Sequence, residues 1–363
     1  MIRSKMQIAG YRTFSILLIL FVLFIQSVVA EDNSSPTHSK KGRLSKGCAS
    51  CHQSHGAPAS MLLLQKEDIC FICHTIESIS EDKAKDIKSA FFKTYHHPVM
   101  ETSRYHFKGE ELPERDPSIP RHVACEDCHE VHSVSATKKT GDVSGYTRYG
   151  TKKARAEYEY EVCFKCHSDS ENLPVSQTNT RLDFDPNNQS YHPVVTYTKD
   201  TSISIKPSFK GKTIRCSDCH GNNDPYGATG PHGSDYKGIL IYNYNLNDGP
   251  ETPFAYELCY NCHKRDSILS DESFKGSPDA TRPFGHKGHI VYQQTSCNTC
   301  HSPHGSYEYT NLIRFNGAIV SPNMSGIIQY NDIGGGYARC YLTCHGYEHK
   351  DSLSNSTQMM KKR

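Results

Sequence analysis

The sequence predicts a fold of mostly irregular loops with short helices and little β-sheet. Three observations predict it. All sixteen cysteines fall in eight short boxes, seven of the form Cys-x-x-Cys-His and an eighth with one residue more. Only 36% of the 363 residues are hydrophobic and there is no Trp, too lean a composition for an ordinary core at this length. The boxes also recur in four pairs with shared flanking residues, so the chain is an array of one module.

Residues 1-30 read as a secretory signal. Arg3, Lys5 and Arg12 make a basic start, Ile16 to Ile25 is a short apolar run, and Val28-Val29-Ala30 offers small residues for cleavage before Glu31. That run is too short to span a bilayer, and no later segment approaches the roughly 18 apolar residues a span requires, so no membrane span is expected in the mature chain. No cysteine follows the apolar run, so no lipid anchor is expected either.

The regular boxes begin at Cys48-Ala49-Ser50-Cys51-His52. They continue with Cys70, Cys73 and His74; Cys125, Cys128 and His129; Cys163, Cys166 and His167; Cys216, Cys219 and His220; Cys259, Cys262 and His263; and Cys297, Cys300 and His301. The eighth is Cys340-Tyr341-Leu342-Thr343-Cys344-His345, its extra residue read as a bulge. Chance would give about 0.04 regular boxes at this composition. Two thiols three residues apart on one turn can reach the two vinyl groups on one porphyrin edge, and the next side chain then lies under the iron. The sequence therefore predicts eight covalently attached haem c groups. Zinc sites and disulfides use the same cysteines, but neither demands a His directly after the second Cys of every box.

Without its first 30 residues the chain has 333, about 42 per haem, so the porphyrins themselves are expected to form the apolar interior. Removing three basic residues leaves 38 basic against 39 acidic side chains, and each oxidised haem adds about −1 through its propionates. Such an acidic protein without a basic stripe is not expected to bind nucleic acid.

The modules are read as residues 31-90, 91-187, 188-280 and 281-350, with a polar tail at 351-363. First boxes are followed by a second His, usually with Gly: His55-Gly56, His132 and His304-Gly305, with Pro231-His232-Gly233 appearing after an insertion. Second boxes carry an aromatic after the first Cys: Phe71, Phe164, Tyr260 and Tyr341. Tyr95-His96-His97-Pro98-Val99 matches Tyr191-His192-Pro193-Val194, Gly288-His289-Ile290-Val291 is a weaker version, and His38 stands before the first pair.

Of 21 histidines, eight follow a box, and His38, His55, His97, His132, His192, His232, His289 and His304 make eight more, enough for every iron to have two. His96, His106, His122, His286 and His349 are left as spares. Three residues span at most about 10 Å, too little to round a porphyrin and reach its other face, so His55, His132 and His304 are expected to serve a neighbouring haem. Met61, Met100, Met324, Met359 and Met360 do not recur between modules and read as packing or tail residues.

With these motifs in place, residues 38-349 resemble the multihaem c-type cytochromes built from doubled Cys-x-x-Cys-His motifs. The resemblance implies a multihaem cytochrome c fold with loops and short helices around a haem chain. It also implies an exported, periplasmic or extracellular electron carrier with redox partner proteins. Some similar cytochromes assemble into filaments in which an N-terminal His serves the next subunit, and His38 stands where such a donor would be. The rival reading is a multihaem reductase of a small nitrogen or sulfur oxyanion, which needs one open iron; the irregular eighth box would be its place.

Overall fold

The computed structural model describes residues 37–39, 44, 46–53, 62–64, 66–76, 85–100, 123–169, 177–197, 202–278 and 284–349. The signal segment, the tail after 350, Met61, His55, His106 and His122 lie outside them. The chain forms two compact units, residues 1–61 with 129–141, and residues 62–128 with 142–363. This division differs from the four modules read from the repeats, and it parts Cys125 and Cys128 from His129.

In the smaller unit the first box lies on a 3-10 turn, Gly47–Ser50. The 129–141 loop closes on itself through Glu130 N donating to Thr140 O (2.9 Å) and Val134 N donating to Glu130 O (3.1 Å). Thr37 N ties the N-terminal segment to Val134 O at 2.8 Å.

In the larger unit, boxes lie on short helical pieces: Lys66–Phe71, Cys125–Cys128, Glu159–His167, the 3-10 turn Cys216–Asp218, Glu257–Cys262 and Cys297–Cys300. Helical curvature suits a Cys-x-x-Cys pair, because residues three apart share a face. The longest of these, Glu159–His167, is started by Glu161, whose buried carboxylate accepts from Glu157 N (2.6 Å) and Tyr158 N (3.1 Å) with Lys153 Nζ at 3.3 Å.

The strands are β1 (Tyr95–His96), β2 (Gly145–Tyr146), β3 (Lys152–Lys153), β4 (Ser190–Tyr191), β5 (Gly233–Ser234), β6 (Gly305–Ser306), β7 (Val320–Ser321), β8 (Gln329–Gly334), β9 (Tyr337–Cys344) and β10 (Tyr347–His349). Most are two residues long. The antiparallel pairs β1 with β5 and β4 with β6 are copies of one joint. In each, a Tyr-His element meets a His-Gly-Ser element: His97 N donates to His232 O (3.2 Å), as His192 N does to His304 O (3.1 Å). The serine then donates to a later carbonyl, Ser234 Oγ to Leu240 O and Ser306 Oγ to Ile313 O, both at 2.6 Å.

Among the described residues there is no single core. Small clusters of buried side chains stand apart, and each abuts a box cysteine: Phe71, Phe91 and Val99 beside Cys125; Val143, Ala156 and Val162 beside Cys128; Tyr160, Phe164, Phe184 and Val194 beside Cys216; and Ala255, Tyr256 and Ile290 beside Cys259 and Cys297. The aromatic after the first Cys is explained by these clusters. Phe71 and Phe164 are buried members, and Tyr260 packs on the last. The sheet of β7, β8, β9 and β10 is the largest departure from the loop-and-helix expectation, and it carries the eighth box on β9.

Candidate haem sites

An imidazole nitrogen binds a metal at about 2.0–2.1 Å, and its ring centroid lies about 1.1 Å behind that atom, so two imidazoles across one iron have centroids about 6.3 Å apart. The described His rings pair at that spacing. His52 and His132 stand 6.1 Å apart, His97 and His167 6.3 Å, His192 and His263 6.4 Å, His220 and His304 6.1 Å, and His286 and His301 6.1 Å. Each of these pairs joins one box His to one His from elsewhere. His289 and His349, also 6.3 Å apart, are a pair in which neither follows a box.

The orientation of the rings agrees with iron binding. Nδ1 of His74, His129, His220 and His301 meets the carbonyls of Lys85 (3.2 Å), Lys139 (2.8 Å), Gly238 (2.7 Å) and Asn311 (2.9 Å). A carbonyl only accepts, so Nδ1 carries the proton and Nε2 keeps its lone pair for a metal. His97 Nδ1 donates in the same way to Pro231 O (2.6 Å), and His192 Nδ1 to Pro303 O. His263 and His286 place Nδ1 on serine hydroxyls, Ser204 Oγ at 2.7 Å and Ser273 Oγ at 3.1 Å.

Burial keeps these rings neutral, as ligands must be. It holds His97, His129, His192, His220 and His301 below the ordinary imidazole range, and brings His263 and His304 down to about 4 and His286 to about 3.

Neighbouring boxes also touch. The first thiols of consecutive boxes hydrogen-bond across module boundaries: Cys70 with Cys125, Cys163 with Cys216, and Cys259 with Cys297. Within modules Cys128 acts electrostatically on Cys163, Cys262 on Cys219, and Cys340 and Cys344 on Cys300. The cysteine pairs from the second box to the eighth thus follow one another in space in chain order. Burial pushes Cys128 up to about 11 and Cys219 and Cys300 to about 12, which suits an uncharged thioether end state.

Among the residues the sequence offered, His132 and His304 meet the boxes of other modules, His97 and His192 meet second boxes, and His232 packs on Phe91 at 5.8 Å. His38 is near enough to His129 to lower its pKa, and places Nδ1 3.2 Å from Val131 O. The structure departs from the sequence reading at three residues. His286 and His349, counted as spares, take the positions beside His301 and His289. His345 has its Nε2 2.7 Å from Asp248 Oδ2. The signal for His286 was weak because its Gly285-His286 setting matches no other module; for His349 it was the hairpin, which no local pattern announced.

Helical boxes with paired, neutral, correctly oriented imidazoles make this chain a multihaem c-type cytochrome. The comparisons with known proteins agree: residues 42–78 match the model of the doubled CXXCH motif. More particularly, residues 150–312 match the family model described as outer membrane cytochrome MtrC/MtrF-like, domains II/IV. No curated protein and no solved structure matches the chain. Among the described residues, no helix is long and apolar enough to cross a membrane.

Proposed function

We propose that this protein is an exported electron carrier holding eight haem c groups, each iron closed by two histidines. One observation carries the reading: five described box histidines have a second imidazole at 6.1–6.4 Å, which leaves no position for a substrate at those irons. The proposed ligand pairs are His52 with His132, His167 with His97, His220 with His304, His263 with His192, and His301 with His286. His129 takes His38, and His74 is the box ligand of the second haem. Closed irons of this kind exchange electrons with little rearrangement.

This chain's own residues would attach the cofactors by thioethers, orient imidazoles such as those of His97, His129, His220 and His301 through Nδ1 hydrogen bonds, and pack apolar clusters against the attachment points. The cofactors would supply the electron-accepting centres. The adjoining cysteines of boxes two to eight support a path in chain order. The outer membrane cytochrome match supports work at or beyond the outer membrane, with other cytochromes or terminal acceptors as partners. His38, lying beside His129 of its own chain, supports an in-chain role for that residue over donation to a neighbouring subunit in a filament.

The test is a low-temperature electron paramagnetic resonance spectrum of oxidised holoprotein, integrated against haem content. Low-spin signals accounting for all the haem are expected. A high-spin signal worth one iron would mean an open site and bring the reductase reading forward.

A further inference from the structure

We infer that the eighth iron is ligated by His349 and His289, and that the box histidine His345 is not a ligand. This rests on the haem reading above. The eighth box differs from the others in lying on strand β9, Tyr337–Cys344. Side chains alternate along a strand, so Cys340, Leu342 and Cys344 share one face, and a residue at 345 would take the other. β9 ends there, and His345-Gly346 forms the two-residue loop to β10, with φ of +49° and +75°. Positive φ at both positions is the signature of a type I′ hairpin loop. His345 thus sits at a hairpin tip, where its side chain is half exposed and its Nε2, the atom an iron would need, lies 2.7 Å from Asp248 Oδ2. Asp248 is itself fixed, its other oxygen accepting from Ser296 N (2.7 Å) and Thr299 Oγ1 (3.2 Å) at the start of the seventh-box helix.

The same hairpin delivers another histidine to the cysteines' face. β10 pairs with β9 so that His349 is opposite Leu342, midway between Cys340 and Cys344. Directly opposed residues share a face of the sheet. Across from His349, at 6.3 Å between centroids and 19° between ring planes, lies His289. His289 stands on a π-helical turn, Gly288–Tyr292, with Nδ1 on Gly285 O at 2.8 Å, so that its Nε2 is the available nitrogen. Phe284 and Phe274 flank it at 5.0 and 6.2 Å. The ring spacing that marks a ligand pair at the other boxes is found here on His289 and His349, and His289 also shows the Nδ1 orientation. The strand sets the two cysteine Cα atoms about 13 Å apart against about 5 Å on a helical turn, so the two thiols approach the haem from a wider stance than at the other boxes.

The experiment compares holoprotein of the wild type, His345→Ala, His349→Gly and His349→Met, with haem counted by intact mass and spin state read by electron paramagnetic resonance. H345A should keep the full haem count with every iron low-spin. H349G should show one iron's worth of high-spin signal, returned to low-spin by added imidazole. H349M should gain the near-infrared band of a thioether bound to ferric haem. A high-spin iron or a lost haem in H345A overturns the assignment, as does an H349M protein spectroscopically identical to wild type. A wild type lacking covalent haem would instead sink the haem reading itself.

Discussion

Gly305→Ala would test how closely the second histidines are set. A Cβ at Gly305 would lie 1.9 Å from Asp183 O and 3.1 Å from Ser190 O. Cβ contacts below 3.0 Å are essentially never found, so β6 and the backbone at Asp183 must part by about 1.1 Å. The obstacle is backbone at the end of the Thr180–Asp183 helix, so no side chain can rotate out of the way. The cost of such overpacking is about 1–3 kcal/mol. The larger effect is positional. His304 is the neighbouring residue, and its carbonyl also holds His192 N at 3.1 Å. A metal-to-nitrogen bond of about 2.0 Å tolerates roughly 0.2 Å of misplacement, so a shift of this size cannot be absorbed by the bond. G305A holoprotein should therefore gain high-spin signal from the iron assigned to His220 and His304, and a lower unfolding midpoint. Gly317→Ala is the control, since nothing lies within 4 Å of a Cβ there. If G305A and G317A match wild type equally in spin state and midpoint, the reasoning fails.

Phe164→Ala removes a ring that is 1% exposed and 5.2 Å from Tyr160, and should destabilise holoprotein by about 3–5 kcal/mol, with Phe164→Leu clearly milder; a denaturant titration placing F164A within 1 kcal/mol of wild type would count against the cluster as an anchor of the fourth box. Glu161→Ala strands the two backbone N–H groups that lead into the helix and Lys153 Nζ and should cost about 3 kcal/mol, while Glu161→Gln keeps an acceptor and should cost less; equal losses in chemical unfolding would refute the capping role. Chain prepared without haem should show no cooperative calorimetric transition, because only small separate clusters remain to hold it, and a sharp native-like melt would be the contrary result.

What could be read from the sequence was whatever chemistry fixes locally. The thiol spacing, the following His and the aromatic between the cysteines belong to one helical turn, so the boxes and the recurrence of Phe71 and Phe164 were legible, while the anchoring role of those rings came from the buried clusters. The His-Gly-Ser and Tyr-His elements were legible as repeats, but not as the two halves of one joint. Their meeting is set by two-residue strands linking positions more than a hundred residues apart, as when His192 Nδ1 reaches Pro303 O, and such short pairings leave no periodicity. The glycine gave no clue to its reason either, which is the close approach of Asp183 O or, at Gly233, of Ala90 O. The strand form of the eighth box was not legible for a different cause. Its extra residue suggested a bulged turn, whereas alternation along β9 decides which side chains share a face, and that depends on pairing with β8 and β10.

The proposed ligand pairs carry a consequence for how the array holds together. A solenoid of independent repeats is stabilised by interfaces between complete units. Here the first boxes of the first and third pairs are completed by the next pair: His52 by His132, and His220 by His304. The second box is completed by the segment before its pair, His167 by His97 and His263 by His192. None of these four irons is closed from within its own pair. Each of them would be a cross-link between segments distant in sequence, and its bond strength would act as folding free energy for both. That arrangement explains how so lean a chain, with clusters of three or four buried residues in place of a core, can hold a long row of cofactors at fixed spacing. It also explains why the hydrogen-bonded cysteines lie at module boundaries. The segments drawn together to close one iron are those that carry the attachment points of the next.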